Sequence, residues 1–99
     1  LFSDMSKTSL YEDFIKKQLG VLIDYDAQNH TQLLYTLEIY LKNNCNLLHT
    51  ADELFTHRNT IKYHIKRIGK LLRRDMEDSA VLLNLNVALY LKNYILPVI

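Results

Sequence analysis

Two glycines and one proline among 99 residues leave little with which to build tight turns. A fold of many short strands needs such residues at most reversals, so a sandwich or barrel is disfavoured and an all-α chain is expected. A single cysteine, Cys45, cannot close an internal disulfide. That excludes a disulfide-stapled scaffold and suits a reducing, cytoplasmic setting. No apolar run approaches the ~20 residues of a membrane span, so no membrane partner is expected. The chain begins with Leu1 rather than Met and reads as a piece of a longer protein whose upstream domains are missing.

Net charge is nearly absent too, at +1. Its distribution says more than its sum. Residues 57–74 hold seven of the twelve cations and no acid, whereas the other 81 residues set five cations against eleven acids. The segment is therefore +7 on a body of −6. A basic stretch on an acidic body is the electrostatic footprint of a polyanion partner.

Apolar spacing divides the chain into helices. Ser9 and Glu12 have capping-box spacing for a helix over 10–19, with Gly20 as its stop. The apolar piece at 20–26 adds one or two helical turns, and 26–30 reads as a connector. A second helix spans about 31–43 on Leu33, Leu34, Leu37, Tyr40 and Leu41. "NNCN" interrupts it, and Asn46 can cap a short helix to about Phe55. A helix over 58–72 follows, then a polar break. Asp78 or Ser79 starts a last helix to about Tyr94, with Pro97 beyond it. Tyr35, Tyr40, Tyr90 and Tyr94 fall within or beside apolar stripes and read as half-buried core. The expected architecture is a compact bundle of five to six helices, with residues 1–30 as a lead-in helix and connector and 31–96 as the functional domain.

The informative unit is "NLLHTADELFTHRNTIKYHIKRI". Ala51, Leu54 and Ile61 have the spacing of a helix-turn-helix, whose two helices cross closely over a small residue. The turn position usually given to glycine is Phe55, which either loosens the connection or enters the core. On the 58–72 wheel, Ile61, Ile65, Ile68 and Leu72 cluster within about 60°. Asn59, Tyr63, Lys66 and Lys70 lie opposite, with Lys62 and Arg67 on the flanks. Residues of the first turns of such a helix reach base edges in the major groove, which nominates Arg58, Asn59, Thr60, Lys62 and Tyr63. Lys66, Arg67 and Lys70 are better placed for phosphates. His57, just before the helix, either bonds a phosphate or locks the turn.

These residues resemble a known family, the C-terminal helix-turn-helix domains of PucR/CdaR-type bacterial regulators, with a Fis-like, homeodomain-like core and no wing. The resemblance rests on Leu54 followed by His57, Arg58, Asn59 and Thr60. It extends over about 31–95 through "LLYTLEIYLKNNCNL" and "DMEDSAVLLNLNVALYL". Thr56, and His64 in a place where Arg is common, depart from the pattern. The resemblance implies a transcription regulator that binds double-stranded DNA and senses any effector through an upstream domain; a homodimer is expected because a palindromic operator needs one.

Other chemistry finds no footing. His57 and His64 on one helix would be about 10 Å apart along its axis, too far for one ion. Asp52 with Glu53, and the acids of 75–78, lack a nucleophile or a phosphate loop beside them. No catalytic, metal or cofactor-binding residue is assigned. The competing reading is a helical protein-interaction or dimerisation module without DNA binding of its own.

Overall fold

The computed structural model describes residues 2–96. It contains α1 (Phe2–Asn29), α2 (Leu33–Lys42), α3 (Leu47–Glu53), α4 (Arg58–Leu72) and α5 (Ser79–Tyr90), followed by a π-helical turn at Leu91–Ile95. No strand occurs among the described residues. The architecture is all-α, as the scarcity of turn residues and the apolar spacing implied. Pro97, read as the terminator of the last helix, lies outside the described residues.

One shared core holds the bundle together. It takes Ile15, Leu19 and Leu22 from α1, Leu33, Leu37 and Leu41 from α2, and Ala51 from α3. Ile61, Ile65 and Ile68 come from α4, and Leu85, Ala88 and Leu89 from α5. In α1, α2 and α4 the side chains recur every three or four residues, so each of these helices turns one stripe inward. Burying one Leu or Ile contributes roughly 1.5–3 kcal/mol.

The first helix does not stop at Gly20. It runs on to Asn29. An interior glycine costs a helix only about 1 kcal/mol, and fully buried Leu19 and Leu22 on either side of Gly20 outweigh that. The reversal comes at His30, whose φ is 54°. The Asp26 carboxylate then reaches across it and accepts the backbone N–H groups of Leu33 and Leu34, both at 2.9 Å. The start of α2 is thus capped by a side chain of α1, and its own N-cap residue, Gln32, makes no side-chain cap bond.

Asn46 caps α3 by accepting the His49 N–H at 2.9 Å, as its position before the helix suggested. Asp78, rather than Ser79, caps α5 through the Ala80 N–H at 2.8 Å. Helix α5 packs most closely on α1 and α2, and among the described residues its backbone does not approach that of α4. The two helices therefore use different sides of the bundle.

Candidate nucleic-acid interface

Helices α3 and α4 are joined by only four residues, 54–57. Ala51 and Ile61 are both buried and Leu54 packs against the core beside them, so the crossing is closed by the three residues whose spacing announced it. Thr56 donates its backbone N–H to the Ala51 carbonyl at 2.9 Å, and Phe55 donates to Asp52 at 3.3 Å. Phe55 takes a left-handed backbone, φ 54°. The alternative that it enters the core fails, because its side chain is 96% exposed.

His57 is the N-cap of α4, in an extended backbone conformation. Its Nδ1 accepts the Asn59 N–H at 3.0 Å. The ring therefore locks the turn, satisfying one of the donors that every helix start leaves unpaired. With Nδ1 accepting, the neutral imidazole carries its proton on Nε2.

From this start α4 presents two faces. Ile61, Ile65 and Ile68 are buried. His57, Arg58, Asn59, Thr60, Lys62, Tyr63, Lys66, Arg67 and Lys70 are all exposed. Among the described residues the one ion pair is Lys42–Glu53, 2.9 Å, which ties α2 to α3. The Lys42 ammonium, bonded to Glu53, holds that carboxyl below its ordinary range. Among the described residues no carboxylate is ion-paired with the cations of α4, so their field reaches solvent.

Among the described residues, Arg67 is the one cation of that set with a hydrogen-bonded protein partner. The Tyr25 hydroxyl oxygen accepts from its Nε at 3.0 Å and its Nη2 at 2.5 Å. The guanidinium carbon also sits 5.2 Å from the Tyr25 ring centroid. This hydrogen bond, with the field of the same phenol, raises the Arg67 pKa further above its ordinary value. The fork is held against α1 and keeps Nη1 for a ligand. Arg74, which swelled the charge of the basic segment, is structural. It donates to the Lys17 carbonyl at 3.0 Å and to the Gln18 side chain.

Two features of this surface were missed by the sequence reading. Tyr25 lies 42 residues before Arg67, and only the packing of α1 on α4 brings them together. Phe55 read as a turn or core residue. Three tyrosines also depart from the half-buried role their spacing suggested. Tyr35, Tyr90 and Tyr94 are exposed, and only Tyr40 is half-buried against the core.

Among the described residues no cluster of three or more His, Cys, Asp or Glu could hold a metal ion. No helix is long and apolar enough to cross a membrane. Open grooves flank α4 on both sides. One, of about 550 Å³, is lined by Phe55, Thr60, Ile61 and His64 with Tyr35 and Thr36 of α2. The other, of about 740 Å³, runs between α4 and the 73–77 link and includes Lys62, Lys66 and Lys70.

Comparison with known proteins agrees with this geometry. The family model of the PucR C-terminal helix-turn-helix domain matches residues 33–91. The proline-responsive transcriptional activator PutR of Bacillus subtilis (strain 168) is 42% identical over 66 residues, 67% of this chain and 16% of that protein. The purine catabolism regulatory protein of the same organism is 34% identical over 68 residues, 69% of this chain and 13% of that protein. The chain thus spans about a sixth or less of the length of these curated relatives. No solved structure matches.

Proposed function

The chain belongs to the PucR C-terminal helix-turn-helix domains, DNA-binding parts of transcription regulators and not enzymes, and from that premise we propose that α4 reads specific duplex sequences in the major groove. Arg58, Asn59, Thr60, Lys62 and Tyr63 face base edges, where Arg or Lys suits guanine and Asn suits adenine. Lys66, Arg67 and Lys70 hold phosphates, which fix depth and register without reading sequence. His57 sets the helix start through Nδ1 and offers Nε2 to a backbone phosphate. Residues 31–96 form the DNA-binding unit in this reading, buttressed by the helix of the first thirty. The regulator acts in the cytoplasm, and any effector is bound by a domain upstream.

The observation that carries the reading is the sidedness of α4. Three isoleucines are buried behind a face on which, among the described residues, no cation is ion-paired with a carboxylate. Selecting bound duplexes from a random pool with this chain tests it. A defined motif is expected to enrich at low salt, and enrichment of none sinks the proposal.

One observation favours an interaction role in addition. Helix α5 carries no charged residue over its twelve positions, and Leu83, Val87 and Tyr90 form an exposed apolar stripe that continues to Tyr94. A helix with an apolar stripe on its outward side as well as on its inward one normally has both covered. We take this stripe as the surface on which two copies pair. The backbones of α5 and α4 do not approach each other, and the basic face of α4 is exposed, so α4 stays free in such a pair. Sedimentation of the wild type against Val87→Glu checks it: a dimer is expected for the first and a monomer for the second.

A further inference from the structure

Phe55 is unexplained by either folding or turn geometry. Its backbone φ of 54° lies in the left-handed region, where a residue with a Cβ is strained by roughly 1–2 kcal/mol and glycine is not. The turn's hydrogen bonds, from Phe55 to Asp52 and from Thr56 to Ala51, are backbone to backbone. Glycine would make both. At 96% exposure, the ring also gains nothing from burial. A single exposed apolar side chain is ordinary on a protein surface. A large one in a strained conformation that a smaller residue would relieve is not, and its position then matters.

That position is the rim of the proposed interface. Phe55 precedes the cap of α4 by two residues, a chain length of about 7 Å at most. It lines the same groove as Thr60 and His64, which places it on that flank of α4, level with the first turn. The carboxylate of that groove, Glu53, is bonded to Lys42 at 2.9 Å and to Asn43 at 3.2 Å. Its charge is neutralised in place, so the groove does not repel a polyanion.

We propose that Phe55 is a specificity-determining residue that packs its ring on the C5-methyl group of a thymine at the edge of the bases read by α4. The chemistry limits the choice. Among the groups that base pairs present in the major groove, the thymine methyl is the apolar one. A phenyl ring has no donor for phosphate or base acceptors, so an apolar spot is what it recognises. The strain at position 55 is then retained because it aims the ring out of the turn toward the groove floor.

The inference rests on the reading of α4 as the recognition helix, and the experiment separates the two. The probe is the duplex selected by the wild-type chain, synthesised with each thymine replaced singly by uracil, which removes only the methyl. The protein variants are Phe55→Gly, which suits the backbone, and Lys66→Ala with Lys70→Ala as the control for phosphate contacts. One uracil position is expected to weaken wild-type binding about three- to tenfold, the size of one lost methyl contact. Phe55→Gly should lose a similar factor on the unmodified duplex, become insensitive to that uracil, melt no lower than wild type, and keep its salt dependence. If wild type binds and the lysine variant weakens, but Phe55→Gly binds unchanged or keeps the same uracil sensitivity, this inference alone is overturned. If the wild-type chain selects no duplex, both readings fall.

Discussion

The cap of α4 offers a perturbation whose two effects can be separated. Among the described residues, His57 is the side chain that satisfies a backbone donor at the start of that helix, through one Nδ1···H–N bond of 3.0 Å to Asn59. Replacing a capping side chain with alanine costs about 1 kcal/mol. In a domain of this size that lowers the melting temperature by roughly 4–8 °C. His57→Ala is therefore expected to melt that much lower, read by circular dichroism at the helix band. His57→Asn keeps an acceptor at the cap and removes the imidazole, so its melting temperature should return to within about 2 °C of wild type. Duplex affinity should not return with it, because the amide donors of the shorter asparagine side chain do not reach the outward position of Nε2. Equal melting temperatures for the alanine and asparagine variants would refute the capping role. Equal affinity of the asparagine variant and wild type would refute the phosphate contact.

Other substitutions test the packing. A Cβ at Gly20 would meet nothing closer than the Lys16 Cβ at 3.9 Å, so Gly20→Ala should stabilise by about 0.5–1 kcal/mol in chemical denaturation. Gly69→Ala should go the other way despite the same gain in helix propensity, since its Cβ would lie 3.0 Å from the Met76 Cγ and 3.2 Å from the Arg74 carbonyl. That carbonyl is not free to move, because the Arg74 side chain is pinned to Lys17 and Gln18. Ile68→Ala empties a fully buried site and should cost about 2–5 kcal/mol by the same assay. Burial, with the neighbouring Cys45, pushes the Tyr40 phenol up to about 12 from 10.0. Between those pH values the unfolded chain has released this proton and the folded one retains it, so stability falls as pH rises through the window. Tyr40→Phe should lessen that fall relative to wild type in alkaline unfolding curves.

The legible parts of the fold were those written in local periodicity. Helix α4 has the bounds its isoleucine spacing implied, and Asn46 and Asp78 cap where small polar acceptors precede an apolar run. The exposure of Arg58, Lys62, Lys66 and Lys70 follows from the same wheel, because burying one face dictates the other. What stayed hidden depends on contacts between distant segments. Gly20 reads as a stop until Leu19 and Leu22 are known to be buried. Asp26 reads as a linker residue until α2 is folded back onto its carboxylate. Tyr25 has no visible tie to Arg67, and the exposure of Tyr35, Tyr90 and Tyr94 depends on which neighbours cover each stripe. Phe55 was conspicuous as a departure from the usual turn glycine, yet its direction required the backbone.

Salt dependence of duplex binding tests the central claim most directly. Three phosphate contacts made by cations, through Lys66, Arg67 and Lys70, imply that affinity per copy falls about 40-fold between about 50 and 200 mM salt, the neutral His57 contact releasing no counterion. With Lys66 and Lys70 replaced by alanine, one contact remains and the fall should shrink to about 3- to 4-fold over the same range. A duplex affinity that barely responds to salt, or whose response the two substitutions leave intact, would contradict a domain held on DNA by the outward face of α4.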